Sequence, residues 1–171
     1  MLASYVARLG TTWIHSTGAG KVDPLAEVRL PMRVWPVDID TNLHLNNGRY
    51  LTLMDMGRFA HVMRTGLMPA LLRNRWSPIL GGATVQFRRE LRIFQRFELV
   101  TRLVAWDEKW FYIEHRFEVG GDLHARGLVR GVIKEGRKTV APAELLRAAG
   151  HEGPSPELPP AFSSWLASQA A

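Results

Sequence analysis

The stretch from Val37 to Thr65, VDIDTNLHLNNGRYLTLMDMGRFAHVMRT, constrains the fold of this 171-residue chain more than any other. It opens with two carboxylates, Asp38 and Asp40, in a polar loop that also holds His44, Asn46 and Asn47. It then becomes a helical run. Tyr50, Leu51, Leu53, Met54, Met56, Phe59, Ala60, Val62 and Met63 put apolar side chains around much of its circumference. A helix of that kind is enclosed by other structure rather than laid on a surface. Asn46 or Asn47 is the expected N-cap and Gly66 the expected stop. The start of an enclosed helix offers unpaired N–H groups and a positive dipole end to a developing anion. A carboxylate placed just before it is therefore a geometry suited to catalysis.

The rest of the chain supplies the enclosure. Upstream, Val28, Leu30, Met32 and Val34 alternate with Arg29, Pro31, Arg33 and Trp35, the pattern of a half-buried strand. Pro31 favours an edge position or a bulge. Downstream, residues 67–75 read as a short second helix, and Gly81-Gly82 as a bend before a strand. The period then changes to two: Val85, Phe87, Arg89, Leu91 and Ile93 alternate with Gln86, Arg88, Glu90 and Arg92. Strand-like segments follow over 97–106, 111–119 and 123–133, joined by the hairpin signals Asp107-Glu108-Lys109 and Gly120-Gly121. Residues 142–149 read as a short helix closed by Gly150, GPSPELPP as extended chain, and Phe162, Trp165 and Leu166 as a last helical turn able to dock.

One strand, a long helix and four antiparallel strands predict an α+β hotdog fold, a curled antiparallel sheet wrapped around one central helix. Residues 1–27 form an N-terminal arm, 28–150 the domain and 151–171 a tail. The arm reads equally as a short amphipathic helix, a docking arm or nothing ordered. A curled sheet of about five strands leaves an edge that pairs readily with another chain, so a homodimer or a dimer of dimers is expected.

Composition narrows the function. The chain is 46% hydrophobic and 22% charged, the profile of a globular protein. It has no cysteine, which excludes disulfides, thiolate metal sites and a cysteine nucleophile, and it fits a reducing, cytoplasmic setting. The net charge of +6 permits attraction to phosphates on nucleic acid, a membrane surface or a phosphate-rich ligand, or simply reflects a solvated arginine-rich surface. No aromatic-and-basic motif supports nucleic-acid binding. No window approaches the roughly 18 apolar residues of a bilayer span. Arg8 splits the N-terminal apolar run, so neither a transmembrane segment nor a signal peptide is read. The six histidines are scattered without HxH or HExxH spacing, and no GxGxxG or phosphate loop is present, so no metal and no nucleotide cofactor is expected.

The string DIDTNLHLNNGRYL, followed by a helix and a strand meander, resembles the hydroxybenzoyl-CoA thioesterase-type branch of the hotdog superfamily. RRELRIFQRFELVTRLVAWDEKWFYIEHRF is similar to the thioesterase-superfamily-member-six-like proteins, and the two resemblances together span residues 28–148. They imply hydrolysis of an acyl-CoA, with CoA as part of the substrate and no separate cofactor. In that branch a loop aspartate is nucleophile or general base, and a helix-start N–H polarises the thioester carbonyl. By position the aspartate falls on Asp40, the amide on Asn47, and a residue one turn later on Tyr50. The usual Gly-rich turn is here Thr41-Asn42-Leu43. Some relatives use a helix carboxylate from the opposite subunit instead, for which this helix offers only Asp55.

Thioester hydrolysis needs a base or nucleophile at the carbonyl carbon and a donor at its oxygen. Asp40 is the candidate for the first, and the Asn47 and Gly48 N–H groups for the second. Their plainer roles are turn-former and helix cap. Asp38 either couples to Asp40 or pairs with an arginine. His44, Asn46, Tyr50 and Met54 are candidate substrate contacts, with an acyl tunnel beside Met54, Met56 and Phe59; Arg88 and Arg89 are candidates for the nucleotide phosphates. Asp55 and Arg58 at i,i+3 read as an ion pair. The alternative function is a non-catalytic acyl-CoA- or lipid-binding hotdog protein. A dehydratase using His44 is a weaker one.

Overall fold

Helix α2 (Asn47–Arg64) starts and stops where its terminal residues dictate. The Asn46 side-chain oxygen accepts the Gly48 N–H at 2.9 Å as N-cap, and Gly66 takes a left-handed φ of 72° past the last turn. In this computed structural model, which describes residues 2–168, α2 lies on one face of a six-stranded antiparallel sheet. The strands are β1 (Val28–Arg33), β2 (Ser77–Phe87), β3 (Arg96–Trp106), β4 (Phe111–Val119), β5 (Asp122–Glu135) and β6 (Lys138–Val140). The sheet order is β1-β3-β4-β5-β2, with β6 paired to β5. Among the described residues, no helix is long and apolar enough to cross a membrane.

The helix face that meets the sheet carries Tyr50, Leu53, Met54, Gly57, Ala60 and His61, all buried. Glycines let it come close. A Cβ on Gly57 would overlap Thr101 Oγ1 and lie 3.0 Å from Leu99 Cδ2 and 3.2 Å from His115 Nδ1, and a Cβ on Gly127 would lie 2.6 Å from Met54 Sδ. Between them sits a polar cluster: Thr101 Oγ1 is 3.0 Å from His115 Nδ1, and Arg58 Nη1 is 3.4 Å from His115 Nε2. Arg58 also holds Asp55, as the i,i+3 spacing suggested.

The other sheet face is finished differently. Even-numbered side chains of β4 point there, and Glu114 is buried beneath Arg102, Arg116 and Arg126. Arg29 and Arg116 extend this ladder to Glu27, Glu98 and Glu118. The rest of the face is covered by α5 (Pro160–Ser168), whose Phe162 is buried among Val104, Ala105, Tyr112 and Leu128.

Of the readings open for the arm, the helical one is observed: it forms α1 (Leu2–Gly18), packed on α2 with the Trp13 and Phe59 rings stacked at 6.2 Å. Two elements depart from the sequence reading. The strand expected over 85–93 lies earlier, as β2, and residues 88–95 form a loop. The alternation misled because Leu91, at the centre of that loop, is buried without being in a strand, its carbonyl accepting the Leu45 N–H at 2.8 Å. Gly81-Gly82 lies inside β2 at a register shift, where the Trp110 ring leaves Gly81 no room for a side chain. The short helices α3 (Met68–Asn74) and α4 (Pro142–Ala148) form close to the expected ranges.

Gly57→Ala is expected to lower stability by about 1–3 kcal/mol in urea unfolding, because overpacking outweighs the roughly 1 kcal/mol that alanine adds within a helix. Burial lowers the His61 pKa to about 4, opposed by its hydrogen bond to the Pro24 carbonyl, and burial, with the charge of Arg58, holds His115 well below its ordinary value. Both rings stay neutral in the fold while the unfolded chain takes up protons below about pH 6.5. Their contribution is therefore fully present above that pH and is lost as pH falls toward 4. Urea midpoints measured from pH 7.5 down to 4.5 should fall, and fall less steeply in His61→Gln.

Candidate active site

The loop before α2 is pinned by Asp38, at the end of a single 3₁₀ turn (Pro36–Asp38). Its side chain is buried, accepts the Trp35 N–H at 2.9 Å and the Arg8 guanidinium, and forms an ion pair with Arg49 Nη2 at 3.3 Å. Its carbonyl accepts the Asn46 N–H at 2.8 Å. Asp38 thus joins α1, the turn and the start of α2. Of its two sequence readings, pairing with arginine is the one observed. Burial pulls the Arg8 pKa below its ordinary value, against the opposing effect of the Asp38 charge. Nothing local in the sequence marks Arg8 as the partner, since thirty positions separate the two residues.

Asp40 is placed by a tight hairpin. Ile39 bridges Leu45, the Asp40 N–H donates to the His44 carbonyl at 3.0 Å, and the Leu43 N–H returns to the Asp40 carbonyl at 3.1 Å. Leu43 closes the turn with φ of 60°. Asp40 Oδ1 accepts the Asn42 N–H at 2.9 Å, while Oδ2 has no partner among the described residues. The side chain is half-buried. Asp40 is therefore a turn-former with one carboxylate oxygen uncommitted, whereas Asp38 is fully engaged.

At the helix start, the structure separates the two candidate donors. The Gly48 N–H is already donated to Asn46 Oδ1, so it is not free for a ligand. Glycine matters there because a Cβ would lie only 3.2 Å from that oxygen. The Asn47 N–H has no partner among the described residues, and Asn46 and Asn47 are both exposed. An open pocket of about 330 Å³, lined by Val37, Asp38, Ile39, Asn46 and Arg49, adjoins this end of the helix.

On the other side the hairpin is joined to the 88–95 loop. His44 Nε2 lies 2.8 Å from Glu90 Oε2, and the Ile93 N–H reaches the Leu43 carbonyl at 3.4 Å. That loop shapes an open basin of about 790 Å³ lined by Arg88, Arg89, Glu90, Arg92, Gln95 and His124. Arg89 pairs with Asp122 and Arg92 with Glu90, while the Arg88 side chain has no ion-pair partner among the described residues. The expected phosphate ligands Arg88 and Arg89 are thus brought beside the loop that carries Asp40.

Two expected substrate contacts lie inside the core. The Tyr50 ring packs edge-on against Phe87 and Phe117 at 4.9 and 4.8 Å, and burial pushes its phenol up to about 12, so it stays protonated. Met54 and Met56 are fully buried, Met54 against Gly127, so the space beside them is filled by protein rather than open as a tunnel. Phe59 is covered by Trp13. No group of histidine, aspartate and glutamate side chains among the described residues is placed to hold a metal.

The chain matches the Thioesterase-like superfamily over residues 34–166. It is 46% identical over 84 residues to Protein THEM6 of Xenopus laevis, covering 49% of this chain and 41% of that one. It is 31% identical over 119 residues to the probable thioesterase YBR096W of Saccharomyces cerevisiae, covering 67% and 51% respectively. The chain spans about half the length of such relatives. Among solved structures, it superposes on the 1,4-dihydroxy-2-naphthoyl-CoA thioesterase Slr0204 from Synechocystis with a TM-score of 0.62 at 13% identity, over 72% of this chain and 95% of the other. With its curled antiparallel sheet, enclosed helix and aspartate-bearing loop at the helix start, the chain belongs to the Thioesterase-like superfamily, in its hotdog fold.

Proposed function

We propose that this domain hydrolyses the thioester of an acyl-CoA to the free acid and CoA. The observation that carries this reading is the position of the Asp40 hairpin. It is bonded on one side to the segment that begins α2, where the Asn47 N–H is free, and on the other to a basin rich in arginine. With the acyl carbonyl oxygen on the Asn47 N–H, the Asp40 Oδ2 oxygen either takes a proton from water as it attacks the carbonyl carbon, or attacks directly to give an anhydride that water then opens. In both routes the C–S bond breaks and the thiolate leaves to be protonated. Asp38 holds the loop, His44 links it to the basin through Glu90, and Arg88, Arg89 and Arg92 face the nucleotide phosphates. No cofactor enters, because CoA is part of the substrate.

The assembly suited to this site is a homodimer formed at β2. This strand ends the sheet order and carries exposed Ile79, Leu80 and Phe87, a free edge that a second copy would pair with. The cysteine-free composition fits a cytoplasmic setting. The alternative, ligand binding without turnover, is favoured by one specific contact: Asp40 Oδ1 already serves the turn through the Asn42 N–H.

Asp40→Asn separates the two. The amide oxygen can still accept the Asn42 N–H, so the turn survives. Thiol release from acyl-CoA is expected to fall about 100-fold or more, while affinity for a non-hydrolysable acyl-CoA thioether stays within about twofold. Unchanged turnover in the variant would remove Asp40 from the chemistry, and thioether binding without thiol release by the natural protein would favour the binding reading. Arg88→Ala should raise KM by about three- to tenfold with kcat unaltered and flatten the dependence of KM on ionic strength, checked by initial rates at 20 and 300 mM salt.

A further inference from the structure

Around the hairpin that carries Asp40 lies an exposed apolar patch that the proposed chemistry does not use. Leu43, at the hairpin turn, is 61% exposed, Phe94 53%, Val37 52% and Trp35 45%. Backbone bonds and ring contact hold three of them together. The Ile93 N–H reaches the Leu43 carbonyl at 3.4 Å, the Phe94 N–H donates to the Val34 carbonyl at 2.9 Å, and the Trp35 and Phe94 rings meet edge-on at 6.3 Å.

The fold itself does not ask for two of these side chains. Leu43 and Phe94 take φ of 60° and 61°, a region that favours glycine or asparagine and strains a bulky residue. Glycine or asparagine makes either turn with less strain, and neither apolar side chain is buried in return. Large apolar groups held in this way at the surface are suited to a contact outside the chain.

The charge beside the patch is of one sign. Arg33 and Arg96 are register partners in β1 and β3, so their side chains rise from the same sheet face, and like charges placed opposite each other repel. The Arg33 guanidinium lies over the Trp35 ring at 5.7 Å. All three residues line an open cleft of about 880 Å³ between α1 and β1. Its two glutamates, Glu98 and Glu118, are held by Arg29 and Arg116. Among the described residues, no carboxylate pairs with Arg33, Arg96 or Arg88, and Glu90 is taken by Arg92 and His44. An anion is what this side of the molecule lacks.

We infer that this patch docks the protein on an anionic phospholipid bilayer, with Leu43 and Phe94 inserted at the headgroup boundary, Trp35 at headgroup level and Arg33 and Arg96 on lipid phosphates. Trp and Phe flanked by arginine suit that interface, where the ring or alkyl part is buried and the charge stays wet. The shape favours a bilayer over a protein partner. Leu43 and Phe94 sit on turns and line none of the clefts described above, and a bilayer takes protruding side chains without a matching groove, whereas a protein interface needs shape complementarity. The patch also survives dimerisation, because Trp35 follows β1 and Phe94 precedes β3, the two strands furthest from β2 in the sheet order. The surface is independent of whether Asp40 turns over a thioester.

The test is co-sedimentation of the full chain with vesicles of phosphatidylcholine alone, or with about 30% phosphatidylglycerol, at low and high salt. Partition onto the anionic vesicles should exceed that onto neutral ones at least tenfold at low salt, and should fall about tenfold at high salt. Leu43→Asn and Phe94→Asn should each lower it about threefold or more, while their urea midpoints stay level or rise, since asparagine accepts positive φ. The double variant Arg33→Gln, Arg96→Gln should lose most of the preference for phosphatidylglycerol. Ile14→Ser, on the exposed face of α1, should bind within about twofold of the natural protein. Equal partition onto both vesicle types, no loss in the asparagine variants, or a loss in Ile14→Ser that matches theirs would overturn the inference. So would lower urea midpoints in both asparagine variants, which would assign the two side chains to the fold. Absence of binding to either vesicle would overturn it as well and leave the patch to a protein partner.

Discussion

The buried carboxylate of Asp38 is the interaction on which the rest of the site depends. A charge removed from water costs several kcal/mol unless it is paired and its lone pairs are satisfied. Here two guanidinium groups, from Arg8 and Arg49, and the Trp35 N–H do both. The three partners come from α1, from the segment before the 3₁₀ turn and from the first turn of α2, so satisfying one carboxylate fixes three elements relative to each other. The hairpin beyond it inherits that position. Two aspartates separated by a single residue therefore have opposite fates, one consumed by structure and one presented at the surface with an oxygen free.

Helix α2 is held so close to the sheet, through Gly57 and Gly127, that its middle leaves no space beside it. Met54 and Met56 fill what a tunnel would have needed. Open volume lies instead at the helix start beside Asn46, at the arginine basin behind the hairpin, at the apolar end under α4 and in the cleft between α1 and β1. The outer face of the sheet carries an ion ladder and α5, and β1 and β2 end the sheet order.

Much of this was legible in the sequence, and the limits have physical causes. The all-round apolar run with Asn46 before it and Gly66 after it specifies α2, because capping and enclosure are local properties. The turns at 107–109 and 120–121 specify the meander for the same reason, and the i,i+3 spacing of Asp55 and Arg58 specifies their ion pair. The start of β2 was hidden. Alternation continues through Arg88–Ile93 even though the chain has left the sheet, and Leu91 is buried by a loop contact that no periodicity reports. The pairing of Arg8 with Asp38, the occupation of the Gly48 N–H by its own cap, and the filling of the space beside Met54 are all tertiary facts, set by distance in space. Asp40 was singled out by family resemblance; its geometry as a turn residue with one committed oxygen came from the fold.

The spatial claim at the centre is that a thioester carbonyl meets the free Asn47 N–H beside Asp40. Amide-resolved NMR titration with a non-hydrolysable acyl-CoA thioether measures it most directly. The expected result is that the Asn47 amide proton shows one of the largest downfield shifts on saturation, with Asp40–His44 responding and the Gly48 amide, bonded to Asn46, moving little. Shifts confined to α1 or the outer face of the sheet, with Asn47 and Asp40 unmoved at saturation, would contradict it.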